Sequence, residues 1–92
     1  MKQYEALFVI DAEKEPSFKD ITDAITGTLK KNNATISKEE NWGRQKLAYS
    51  VKKKKEAIYY KVEFSVDPSK ISTLNSAYKL NSDILRVMIS NK

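Results

Sequence analysis

Ninety-two residues, about 10.6 kDa, leave room for a single domain spanning 1–92 with one modest core. Cysteine and histidine are both absent, which excludes disulfide scaffolds, Cys/His zinc or iron–sulfur centres, and any Ser–His or Cys–His catalytic pair. The net charge of +5 falls wholly in residues 47–92, where nine basic residues face four acids, while residues 1–46 balance eight against eight. That asymmetry fits a polyanionic partner, and equally a lysine-rich solvated surface.

Gln3–Ile10 (QYEALFVI) is aromatic and β-branched and reads as a strand. It is too short and, with Glu5, too charged for an export signal or a membrane span, so a soluble intracellular protein is expected. Pro16-Ser17 marks a helix start, with Ser17 and Asp20 in the capping-box spacing. Phe18, Ile21, Ile25, Thr28 and Leu29 then recur on one helical face, and Asn32-Asn33 closes it. From Ala34 to about Val51 a long strand changes phase: Ile36 is even, whereas Leu47, Tyr49 and Val51 are odd. An extra residue must lie between the two sets, and Trp42-Gly43 is the expected bulge.

Lys52–Lys55 is expected as the turn, and Ala57–Val66 returns as a strand with Ile58, Tyr60, Val62, Phe64 and Val66 inward. Asp67-Pro68 is an N-cap followed by proline at the first helical position. The second helix is expected to bury Ile71, Leu74, either Ala77 or Tyr78, and Leu80. Ile84–Ser90 is the last strand, with Leu85, Val87 and Ile89 assigned to the core and Arg86 and Met88 to the outer face. The order β-α-β-β-α-β, with right-handed crossovers, implies an α+β ferredoxin-like (split β-α-β) fold. Both helices cover one face of a four-stranded antiparallel sheet, with strands one and three central.

This architecture hosts many activities, so the residues must choose among them. The loop after strand one, Asp11-Ala12-Glu13-Lys14-Glu15, is acidic and lacks the glycine and arginine of a phosphate cradle. Glu39 and Glu40 are neighbours on a strand and point to opposite faces, so they make no acid/base pair. No catalytic constellation is present, and the chain is read as a non-enzyme that needs no cofactor, metal or small-molecule substrate. An RNA-recognition platform would need glycines around the strand-three aromatics, and Lys55–Phe64 has none.

Two surfaces remain. The open sheet face, through Leu7, Val9, Tyr59, Lys61 and Met88, reads as a protein-docking surface, an apolar centre rimmed by cations. The basic hairpin, Lys52, Lys53, Lys54 and Lys55 with Arg44 and Lys46 leading in, suits phosphate contacts. The plainer alternative is a solvated hairpin tip that deters edge pairing.

Gly43-Arg44-Gln45-Lys46-Leu47-Ala48-Tyr49-Ser50-Val51 resembles the Gly-x-basic-x-Leu-Ala-Tyr-x-Ile segment of the bacterial small-subunit ribosomal protein S-six family. The resemblance extends over the whole chain, through Tyr4-Glu5, Trp42-Gly43-Arg44, Tyr60 to Phe64 and Leu85-Arg86-Val87-Met88. Ser50 stands where many members have proline, Val51 stands for isoleucine, and the hairpin is a lysine run without the glycine often found nearby.

The resemblance implies a structural constituent of the cytoplasmic small ribosomal subunit. It would bind small-subunit (16S) rRNA as a heterodimer with ribosomal protein S-eighteen and support central-domain assembly and translation. Carried residue by residue, it implies RNA-facing roles for Lys2, Arg44, Lys46 and Arg86, with the lysine hairpin beside them. For the two arginines the alternative is a surface ion pair, with Glu5 or Glu63. The competing class is a regulatory ligand-binding or protein-interaction domain of the same fold that never meets RNA.

Overall fold

The computed structural model describes the backbone of residues 1–51 and 53–92 and the side chains of residues 1–48 and 53–92. Four strands, β1 (Lys2–Asp11), β2 (Thr35–Val51), β3 (Lys54–Val66) and β4 (Ile84–Asn91), form one antiparallel sheet in the order β2-β3-β1-β4. Two helices, α1 (Phe18–Lys31) and α2 (Ile71–Lys79), complete the α+β ferredoxin-like fold, with β1 and β3 central. No helix is long and apolar enough to cross a membrane.

Alternation in β1 and β3 decides which face the helices cover. Tyr4, Ala6, Phe8 and Ile10 stand directly opposite Phe64, Val62, Tyr60 and Ile58, and all eight are buried. Opposed side chains of this kind are the unit of sheet stabilisation. Ile21, Ile25 and Leu29 of α1 and Leu74 and Tyr78 of α2 close the core over them. Tyr78 meets Phe8 edge-on at 4.8 Å between centroids, and its hydroxyl donates to the Ile25 carbonyl at 2.8 Å. The choice between Ala77 and Tyr78 therefore falls to Tyr78; Ala77 is exposed.

Helix entry differs from expectation. Ser17 makes no side-chain capping bond, because the chain already turns as a 3₁₀ helix over Ala12–Ser17 and the Phe18 N–H is satisfied by the Glu15 carbonyl. The cap sits earlier, where the Asp11 carboxylate accepts from the Glu13 N–H at 3.0 Å. At the other end Asn33 takes φ of 64°, and the Ala34 N–H returns to the Leu29 carbonyl at 2.9 Å. Asparagine tolerates that left-handed stop. Asp67 caps a short 3₁₀ turn (Pro68–Lys70) that leads into α2, accepting from the Ser69 N–H at 3.0 Å.

β2 has the irregularity expected at Trp42-Gly43, but parity does not require it: a second step at Ser37 cancels it, so Ile36 packs on the helix-side core and Leu47 on the opposite face. Pairing with β3 steps from Asn41 to Gly43, whose φ is +79°, and Asn41 Oδ1 accepts the Gly43 N–H at 2.8 Å. Tyr49 and Val51 have side chains outside the described residues. The hairpin is tighter than the four-residue turn expected, since Val51 already pairs with Lys54. Lys53 carries the positive φ, at 66°, while Lys54 and Lys55 belong to β3 and Lys52 lies outside the described residues.

Two core assignments are corrected. Leu80 is 87% exposed: with Tyr78 facing the core, a residue two positions on lies about 200° round the helix and faces away. Leu85 is buried, but on the other side of the sheet. Val9 pairs with Arg86 and Ile10 with Ile84, so Leu85 is an extra, bulged residue packed on Val9 and Ala57. Val87 and Ile89 do pack on the helix-side core.

Candidate functional site

The face away from the helices carries the odd-numbered residues of β1 and β3. Val9, Ala57 and Leu85 form a small buried cluster there, with Leu47 and Tyr59 packed on it. Val9 is thus a floor beneath this face rather than a contact surface, only 4% exposed. Over that floor the β2 bulge projects Trp42, which stacks on Tyr59 at 6.5 Å and an interplanar angle of 16°. The Lys61 ammonium lies 5.9 Å from the Trp42 ring centre and 3.1 Å from Glu5. Leu7, Trp42, Lys61 and Met88, with Glu5 and Ser90, line a groove of about 200 Å³.

Charge on this face is largely self-cancelled. Lys61 pairs with Glu5, Lys38 with Glu40 at 2.9 Å, and Lys92 with the buried Glu63. Lys61 and Lys38 are held charged well into the basic range, chiefly by the hydrogen bonds to Glu5 and Glu40. Lys92 depresses the Glu63 carboxyl in the same way. Arg86, opposite Val9 in β4, is exposed on this face and has no ion pair among the described residues. What the face offers is an apolar groove with a neutral rim and one arginine.

The second region is the base of the β2–β3 hairpin. Arg44 stands opposite Ile58, on the helix side of the sheet. It therefore lies on the opposite face from Arg86. Its guanidinium reaches Glu56 at 3.3 Å and Glu15 at 3.7 Å, not Glu5 or Glu63, which are taken by Lys61 and Lys92. Lys54 meets Glu13 at 2.5 Å and the buried Asp11 at 3.6 Å, and Glu13 is the main cause of its raised pKa. Lys46, Lys53 and Lys55 are exposed around this cleft with no ion pair among the described residues. Lys2 is elsewhere: it pairs with Val66 while Asp11 pairs with Ala57, so about 30 Å of strand separates it from the hairpin.

The structure thus brings Arg44, Lys46, Lys53, Lys54 and Lys55 together, and leaves Lys2 and Arg86 apart from them and from each other. Two contributors escaped sequence reasoning. Trp42 was legible as part of a bulge but not as the aromatic centre of the open face. The carboxylates of the 3₁₀ turn bear on the hairpin across 41 positions of chain for the Glu13–Lys54 contact, a closeness that only the fold creates.

Fold likeness alone does not choose a function here. The chain superposes on the C-terminal domain of the MgtC protein from Mycobacterium tuberculosis with a TM-score of 0.66 at 13% identity, covering 100% of this chain and 88% of that one. It superposes far better, at 0.93, on 30S ribosomal protein S6 from Thermotoga maritima, with 24% identity and coverage of 99% and 87%. In sequence it is 35% identical over 89 residues to the small ribosomal subunit protein bS6 of Porphyromonas gingivalis, covering 96% of this chain and 76% of that one. With bS6 of an Arthrobacter species it shares 37% over 95 residues, covering 98% and 90%. The family model for ribosomal protein S6 matches residues 3–91.

The chain belongs to the ribosomal protein S6 family. That family consists of structural proteins of the small subunit of the cytoplasmic ribosome, not enzymes, and its work is translation. The Gly43–Val51 segment that carried the resemblance is the stretch of β2 running from the bulge to the hairpin. In this S6 chain the bulge and the hairpin therefore place the apolar groove and the cationic cleft at the two ends of one strand segment.

Proposed function

We propose that this S6 protein holds small-subunit rRNA jointly with a second protein, ribosomal protein S-eighteen being the partner the resemblance implies. The open sheet face docks the protein and the hairpin end meets the RNA. One observation supports this division above the others: three lysine–carboxylate pairs neutralise the open face around an apolar groove, while Lys46, Lys53 and Lys55 at the hairpin have no ion pair among the described residues. A neutral, apolar, aromatic-centred patch suits a protein partner. Exposed lysines suit phosphates and read no sequence.

Such a protein gains most of its RNA affinity through its partner. Titrating a small-subunit rRNA transcript with this chain alone, and then with equimolar S-eighteen, tests the reading. Alone, binding is weak and its salt slope corresponds to few neutralised phosphates; with the partner it tightens at least tenfold (about 1.4 kcal/mol). Tight binding by the isolated chain, with a slope implying many phosphate contacts, overturns it. Unchanged binding in the presence of S-eighteen would do the same. Arg44→Gln should weaken RNA binding, and Arg86→Gln, on the other face, should weaken partner docking.

A further inference from the structure

Two of the cations at the hairpin base, Arg44 and Lys54, are already occupied. Glu13 and Glu15 both come from the 3₁₀ turn Ala12–Ser17, and each takes one of the hairpin's main cations: Glu13 takes Lys54 at 2.5 Å, and Glu15 takes Arg44 at 3.7 Å. We infer that this acidic turn is a built-in competitor for the RNA backbone, its two carboxylates standing where phosphate oxygens will stand and yielding when RNA arrives. The inference rests on the proposed RNA role of the hairpin and adds to it a control on affinity.

Geometry separates the groups that leave from those that stay. The Glu13 and Glu15 side chains are 71% and 57% exposed, and solvent-exposed ion pairs hold weakly. Asp11 is different: its side chain is 8% exposed and its carboxylate accepts the Glu13 N–H, so it anchors the turn and keeps its place beside Lys54. Arg44 is also poorly served, because Glu56 and Glu15 approach different nitrogens and neither forms the two-bond fork that a guanidinium makes best. A phosphodiester presents two oxygens to that fork. The cleft beside these groups, about 210 Å³ and lined by Asp11, Glu13, Arg44, Lys53, Lys54 and Glu56, has room for one.

Competition and pre-positioning predict opposite signs. If the carboxylates merely position the cations, removing them weakens RNA binding; if they compete, removal strengthens it. The experiment compares E13Q/E15Q with D20N/D23N, which removes the same charge from exposed α1 residues that make no ion pair among the described residues. Binding of the full chain to a small-subunit rRNA transcript is followed by fluorescence anisotropy from low to moderate salt, with circular dichroism confirming the fold.

Competition predicts about fivefold tighter binding for E13Q/E15Q, with a steeper salt slope because two more cations release counterions, and a change under about twofold for D20N/D23N. Equal effects of the two variants, or weaker binding by E13Q/E15Q, overturn the competitor. Loss of salt dependence, or no effect of R44Q and K54Q, overturns the RNA reading itself, and the competitor with it.

Discussion

At the scale of single residues, the buried hydroxyl of Tyr78 ties the two helices together by donating to the Ile25 carbonyl. Burial pushes its pKa up, so the hydroxyl stays protonated and keeps donating at neutral pH. Tyr78→Phe keeps the ring against Phe8 and loses only that bond, and should cost about 1 kcal/mol in urea unfolding. Asp67 caps the entry to α2, and the Ser69 N–H holds its carboxyl below the ordinary aspartate value. A depressed folded pKa contributes stability that is complete above the unfolded value and lost as pH falls through the folded one. Asp67→Ala should therefore unfold more easily at neutral pH, and its deficit should narrow on acidification through that range, read as midpoints across a pH series.

At the scale of elements, the β2 bulge and the end of α2 make contrasting cases. Gly43 has open space around the position of a Cβ but a φ of +79°, so Gly43→Ala should cost about 1 kcal/mol through backbone strain alone. Trp42 emission, reporting its stack on Tyr59, should shift with it. Leu74 is fully buried in α2, and Leu74→Ala should cost about 3 kcal/mol; Leu80→Gln, one residue past the helix, should stay within about 0.5 kcal/mol.

These elements also show what one sequence discloses. The bulge near Gly43 was legible from the glycine rather than from parity, since Ile36 and Leu47 lie on opposite faces and the step at Ser37 left no trace; the element order followed from punctuation by Pro16, Asn33 and Pro68. The bulge at Leu85 was not legible, because Ile84-Leu85 and Val87-Met88-Ile89 are apolar at both parities and an added residue leaves no trace. Ser17 misled for a related reason: the capping spacing is local, while the 3₁₀ turn that made it unnecessary is anchored by Asp11, a residue of β1.

At the scale of the molecule, the sheet keeps two chemistries apart. The groove around Trp42 lies on the open face and the Arg44–Lys54 cleft at the hairpin base, with Arg44 on the helix side. Trp42→Ala should then impair partner docking at least tenfold while leaving the unfolding midpoint nearly unchanged, since the indole is 47% exposed. A fall in stability as large as the fall in docking would make Trp42 a structural residue instead. For the candidate site, sequence supplied the residue types on each surface, but not their pairing. Arg44 was weighed against Glu5 and Glu63, and its actual partners come from a turn and a strand that meet only in three dimensions.

Strand order carries one more consequence, for the birth of the chain. β1 is the first strand to be synthesised, yet its two neighbours in the sheet are β3 and β4, whose last residue is Asn91. Its partners arrive in two steps, β3 ending at Val66 and β4 at Asn91, both long after β1 itself is made. β2 and β3, adjacent in sequence and sharing a tight hairpin, can pair long before that. The nascent chain therefore carries β1, apolar at both parities from Leu7 to Ile10, without a sheet partner until β3 is made, and an unpaired strand of that kind is open to wrong pairing in the interval.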